Sequence, residues 1–203
     1  MRYDAEHKEK TRKRVLKEAA RAIRQEGPER VGVAGVMARA GLTHGGFYAH
    51  FKSKDELVAA AIGEMFEDAR KRFALNADGY PPDEGLIRHI DFYLSQAHRD
   101  ARATGCAIVA LAADLPRLED GPAREAYSQG ALGMARRIAG LLAELGHEGA
   151  EDLGRSVVAE LVGSLSLARA VSDPEQSDRI LAASRRALKQ RLGLRPDSEE
   201  SAS

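Results

Sequence analysis

The chain has a single cysteine, Cys106, no tryptophan, and aromatic residues at only 5% of its 203 positions. One thiol excludes an intrachain disulfide framework and any zinc site built from several cysteines of one chain. The scarcity of aromatics argues against a large aromatic cage. No run of about 18 apolar residues occurs, so a transmembrane helix is not expected. The first residues, with Arg2, Lys8, Lys10 and Arg12, are not followed by the apolar stretch of a signal peptide, and a soluble cytoplasmic protein is the expectation. Catalytic signatures are missing as well: there is no Gly-rich Lys-Ser/Thr phosphate loop, no nucleophile elbow and no His-Glu-x-x-His. The six histidines, His7, His44, His50, His89, His98 and His147, are scattered. Asp114, Glu119 and Asp120 cluster near a predicted loop and read as solvated turn residues. No metal, no cofactor and no enzymatic activity are expected.

What is present is helix-forming and unevenly charged. Abundant Ala and Leu with few aromatics favour an all-α protein. The formal net charge is +0, which alone argues against nucleic acid. Its distribution argues the other way: residues 1–54 carry 13 Lys and Arg against 6 Asp and Glu, and the remainder 18 against 25. A basic head on an acidic body fits a DNA-reading module carried by a second domain, although a solvated charged helix gives the same count. The expected organisation is a helix-turn-helix domain over 1–54, a helical ligand-binding and dimerisation domain over 55–195, and a disordered tail over 196–203.

The most telling stretch is Leu42-Thr43-His44-Gly45-Gly46-Phe47-Tyr48-Ala49-His50-Phe51, followed by Lys52-Ser53-Lys54-Asp55-Glu56-Leu57. Gly41 ends the preceding apolar-periodic segment, as a glycine just past a helix terminus does. Thr43 is placed to cap a short new helix. Two helices joined by a tight turn, the second exposing small and polar side chains, describe a helix-turn-helix whose second helix enters the major groove. Gly45 and Gly46 weaken that helix by roughly 1 kcal/mol each relative to Ala, and let its N-terminus approach base edges and phosphates closely. Thr43, His44, Tyr48 and His50 supply donors beside them. Phe47 and Phe51, four apart, share the opposite face and should anchor it. Ser53 and Glu56 form a capping box that puts Lys54 in the first turn of the next helix, where a phosphate partner would explain a cation.

With Val33-Ala34-Gly35-Val36-Met37-Ala38-Arg39-Ala40-Gly41-Leu42-Thr43 and the run from Phe47 to Leu57, the chain resembles the TetR/AcrR family of bacterial transcriptional regulators. The resemblance is close over about the first sixty residues. It implies phosphate contacts at Tyr48, His50 and Lys54 and base reading at His44 and Gly45. It also implies a homodimer formed by the last two helices and a small-molecule effector bound in the C-terminal bundle. One departure stands out: Gly32, Val33 and Ala34 occupy positions where such proteins usually have a Thr cap and often a polar groove-reading residue.

The remaining pattern gives about nine helices. The first is expected from about His7 to Glu26, and the fourth after Ser53. A loop is expected from Asn76 to Asp83, and then a helix carrying Leu86 to Ala97. A short helix follows Thr104-Gly105. The next runs from Gly121-Pro122 to Leu145, a long apolar helix carries Leu153 to Ala168, and the last is capped by Asp173-Pro174. The long apolar helix must be buried on several sides, either by its own chain or by a two-fold copy. Candidate effector residues are His89, Tyr93, Cys106, Leu111 and Tyr127, each also readable as plain core. Cys106 has a sharper alternative: near a helix N-terminus, with Arg99 and Arg102 upstream, its thiol could be a reactive thiolate that senses an electrophile or oxidant. Two other function classes remain open: an effector-independent structural DNA-binding protein, and a helical enzyme.

Overall fold

The computed structural model describes residues 2–194, with no account of the side chains of residues 2–5. The tail expected over 196–203 lies outside the described residues. Among the described residues there are nine α-helices, two short 3-10 segments and no strand. The helices are α1 (Arg2–Glu26), α2 (Val33–Arg39), α3 (Lys54–Ala77), α4 (Pro82–Tyr93), α5 (Gln96–Asp100), α6 (Ala107–Leu111), α7 (Pro122–Glu144), α8 (Ala150–Ala170) and α9 (Pro174–Arg191). The 3-10 segments are His44–Ala49 and Leu115–Arg117. The fold is all-α, with an N-terminal helix-turn-helix. No helix among the described residues is long and apolar enough to cross a membrane.

Two compact units divide the chain. One takes Met1–Ala69 with Arg102–Ala131, the other Arg70–Ala101 with Leu132–Ser203. The core of the first gathers Val15, Leu16, Ala19 and Ile23 of α1, Val36 and Met37 of α2, Phe47, Phe51, Leu57 and Ile62, together with Leu111 and Leu115. Within it α7 lies against α3. An added Cβ at Gly130 would stand 2.1 Å from the Phe66 ring, so only glycine permits this approach. In the second unit α8 packs on α9, and Gly154 lets α8 come within the same sort of distance of the Ala135 carbonyl of α7, 2.7 Å from an added Cβ.

Several boundaries differ from expectation for identifiable reasons. The first helix starts at Arg2, because nothing upstream of His7 breaks it and the Glu6–Lys10 and Glu9–Lys13 pairs at 2.8 and 3.2 Å support its exposed turns. The helix expected to run through Ala97 ends at Tyr93. Ser95 starts α5 instead, its hydroxyl accepting the His98 N–H at 3.1 Å and donating to the Phe92 carbonyl at 2.8 Å. The loop expected over Asn76 to Asp83 is shorter, between Ala77 and Pro82. The Asp173 carboxylate caps α9 as expected, accepting from the N–H groups of Glu175 and Gln176.

Candidate nucleic-acid interface

The reading segment is built by its neighbours. Helix α2 stops at Gly41, whose φ of +68° is the left-handed conformation glycine adopts cheaply. The Gly41 N–H bonds the Ala38 carbonyl and the Leu42 N–H the Met37 carbonyl, both at 2.9 Å, closing α2 in a double-bonded C-terminal motif. Thr43 then sits at the N-cap of His44–Ala49 in extended conformation, without a side-chain capping bond. The segment is 3-10 rather than α. Six residues, two of them glycine, supply few i→i+4 bonds to hold the wider helix.

Its two faces are sharply different. Phe47 and Phe51 are buried with ring centroids 5.7 Å apart, while Tyr48 next to them is 72% exposed. Thr43, His44 and Gly45 are exposed, and Gly46 and His50 half-buried. A Cβ added at Gly45 meets no atom within 4 Å, so nothing in the chain itself requires glycine there. One wall is supplied by α1: the Arg12 guanidinium lies 4.7 Å from the Phe51 ring centroid and 4.0 Å from the Glu56 carboxylate. Partial burial, with the positive charges of Lys8 and Arg12, holds the His50 imidazole below its ordinary pKa and hence neutral at pH 7. Ser53 caps α3 by accepting the Glu56 N–H at 3.1 Å, and the Glu56 carboxylate reaches back to the Lys52 N–H at 2.8 Å rather than to Ser53 itself. Lys54 follows in the first turn, its ammonium donating to the Glu29 carbonyl at 2.7 Å. That leaves two of its three donors for other partners.

Residues 15–61 match the family model of bacterial regulatory proteins, tetR family. The head is that of a tetR-family regulator. Likeness of fold extends over most of the chain. NemR from E. coli, in its reduced form, superposes with a TM-score of 0.78 at 19% identity, over 89% of this chain and 96% of that one. A TetR transcriptional regulator from Chloroflexus aurantiacus gives 0.75 at 22%, over 93% and 96%. A TetR-family transcriptional regulator from Streptomyces coelicolor gives 0.74 at 22%, over 90% and 95%. At these identities the likeness speaks for the fold. Among curated proteins, none matches the sequence. Family and fold together support a DNA-binding transcriptional regulator.

The effector candidates fall into the two units separately. Cys106, Leu111 and Tyr127 belong to the first, His89 and Tyr93 to the second. Leu111 is wholly buried and Cys106 is 8% exposed. Cys106 is the N-cap residue of α6 rather than inside its first turn, and is in no disulfide. Tyr127 is half-buried, and burial, followed by the Cys106 thiol, raises its phenol above the ordinary value. Arg99, in the second unit, binds Asp100 at 2.8 Å and Asp178 at 2.5 Å. Arg102 is exposed.

In the second unit His89 is 4% exposed, with its ring 4.6 Å from Phe73 and 5.9 Å from Tyr93, and neither ring nitrogen has a hydrogen-bond partner. Sequence reasoning missed the residue that completes this cluster. His98 is buried beside Tyr93 and Phe92, its Nδ1 2.8 Å from the Tyr93 carbonyl. Arg169 holds the same corner by donating to the carbonyls of His98 and Arg99, both at 3.0 Å. The available signal was Ser95: a capping serine three residues before His98 turns the chain and brings that ring back onto Tyr93.

Proposed function

We propose that the protein is a dimeric, sequence-specific repressor that a small molecule releases from its operator. The DNA contacts are made by Thr43, His44, Gly45, Gly46, Tyr48, His50 and Lys54. The observation that carries this reading is the division of one short segment: two aromatic rings are buried behind it while Tyr48, His44 and an unobstructed Gly45 face outward. Such a surface serves no packing role within the chain. In this arrangement Tyr48, neutral His50 and Lys54 donate to phosphate oxygens and fix the register, while His44 and the close approach at Gly45 read base edges. Domain roles follow the same reading: residues 1–54 bind DNA, and 55–195 bind effector and form the dimer.

Support for a homodimer through the last two helices comes from α8. Its buried face carries Val157, Leu161, Leu165 and Ala168, yet Ala159, Gly163 and Leu167, at four-residue spacing, remain exposed, Leu167 by 60%. A copy related by a two-fold axis would cover that small, apolar stripe. Two heads are then held at the spacing of two half-sites. His89 and Tyr93, and Cys106 with Leu111 and Tyr127, are the effector candidates. At Cys106 an electrophile would add to sulfur with loss of the thiol proton. Because the thiol is enclosed with Ala107 and Ile108, the added bulk would force local repacking.

The test is selection of duplex DNA from a random pool, followed by affinity as a function of salt. A symmetric site is expected, with each mismatch costing roughly 1–3 kcal/mol. Lys54→Ala should weaken all sequences alike and reduce the slope of log affinity against log salt by about 1. Recovery of no consensus would favour a structural DNA-binding protein instead. Turnover of a bound small molecule would favour an enzyme.

A further inference from the structure

The first unit contains a cleft of about 340 Å³ where the loop after α1, the start of α3 and the segment leading into α7 meet. This is the size of a small-molecule site. Its floor is apolar, from Pro28, Val58 and Leu118. Its rim is anionic, with Glu29, Asp55 and Glu119, while Asp120 is taken up by Arg124 at 2.5 Å. Among the described residues the one cation on the lining is Lys54, and its ammonium is turned onto the Glu29 carbonyl.

We propose that this cleft in the reading head binds a small organic cation with an apolar body, such as an arylalkyl amine, at a site separate from the effector candidates above. The chemistry follows from the walls. An aryl or alkyl group displaces water from Pro28, Val58 and Leu118, and a charged nitrogen above it meets three carboxylates. An organic anion of the same shape meets those carboxylates as like charges. The Lys54 ammonium competes with the ligand for the same field, so removing it improves cation binding. The site does not depend on the DNA reading. Because Lys54 also stands in the proposed phosphate surface, an occupant would nevertheless lie at the edge of the DNA contact.

The test uses the full chain without DNA and follows backbone amide shifts by NMR. The probes are 2-phenylethylammonium, neutral 2-phenylethanol and 3-phenylpropanoate. Saturable shifts confined to residues 28–29, 54–58 and 118–123 are expected with the ammonium, at about millimolar affinity for a ligand this small. The alcohol should bind more weakly and the carboxylate not measurably. Glu119→Gln and Asp55→Asn should each weaken the ammonium by about threefold, and Lys54→Met should tighten it by a similar factor. Equal binding of ammonium and carboxylate, shifts elsewhere, no saturation, or indifference to all three substitutions would overturn the proposal. Loss of DNA binding in any variant bears on the DNA reading alone.

Discussion

The buried histidine pair of the second unit makes acid stability a sensitive measure of its packing. Burial, and then the proximity of His98, pushes the His89 pKa down to about 3. Burial holds His98 at about 4, partly offset by its bond to the Tyr93 carbonyl, with Arg169 and Arg72 lowering it further. In an unfolded chain both rings titrate near 6.5. Between 6.5 and about 4 the unfolded chain therefore binds two protons that the folded unit refuses, and stability falls as the pH falls. The slope is ~1.4 kcal/mol per pH unit for each ring. From pH 7 to pH 5 the loss is roughly 2 kcal/mol per histidine and about 4 kcal/mol for the pair, a large part of the 5–15 kcal/mol typical of a folded protein. Ordinary carboxylates titrate near 4 and add little above pH 5. The assay is urea unfolding at pH 7, 6 and 5 and fixed protein concentration, since dimerisation would add a mass-action term. His89→Phe should abolish about half of the loss. It should also raise stability at pH 7 by about 1 kcal/mol, because two ring nitrogens without partners are replaced by carbon. An unfolding midpoint that does not move between pH 7 and 5, or an unchanged pH slope in His89→Phe, would refute the assignment.

Other substitutions separate folding from binding. Gly45→Ala meets no atom of the chain and should leave stability unchanged or raise it by up to about 1 kcal/mol. Gel-shift affinity for the selected site should nevertheless drop by about tenfold or more, and an undiminished affinity would remove Gly45 from the DNA contact. Gly130→Ala should do the opposite. Its Cβ would overlap the Phe66 ring, and overpacking of roughly 1–3 kcal/mol outweighs the helix-propensity gain of about 1, so thermal unfolding should move downward. Cys106→Ser should keep DNA affinity while losing release by hypochlorite or a reactive aldehyde. Release that persists in the serine variant would return Cys106 to the role of a small buried core residue.

The parts of this protein legible in its sequence are those fixed by short-range rules. Gly41, Ser53 and Asp173 mark helix ends because capping depends on a residue and its neighbours within four positions, and Thr43 stands at its expected N-cap position although its hydroxyl makes no capping bond. The burial of Phe47 and Phe51 followed from their spacing alone. Where local preference is weak, the prediction drifted. Residues 2–6 have no breaker and simply join α1, and the reading segment narrows to 3-10 because paired glycines cannot enforce a wider turn. Most opaque was anything that joins distant segments. Periodicity places Gly130 on α7 but does not show that Phe66 occupies the space where its Cβ would be. Nor does it show that Arg99 is committed to Asp178, 79 residues on.

The same distinction bears on function. The proposed DNA-reading surface comes from one contiguous run, Thr43 to Lys54, so its chemistry is written in order and can be read before the fold is known. The ring cluster that holds two of the proposed effector residues draws Phe73 from α3, His89 and Tyr93 from α4 and His98 from α5, and only packing brings their rings together. Change in the first kind of site alters which sequence is bound while the core stays as it is. Change in the second kind disturbs packing and recognition together. His89→Phe therefore tests the two roles together: it removes two ring nitrogens that have no hydrogen-bond partner, so it should raise stability, and if His89 contacts the proposed effector it should also weaken release from DNA.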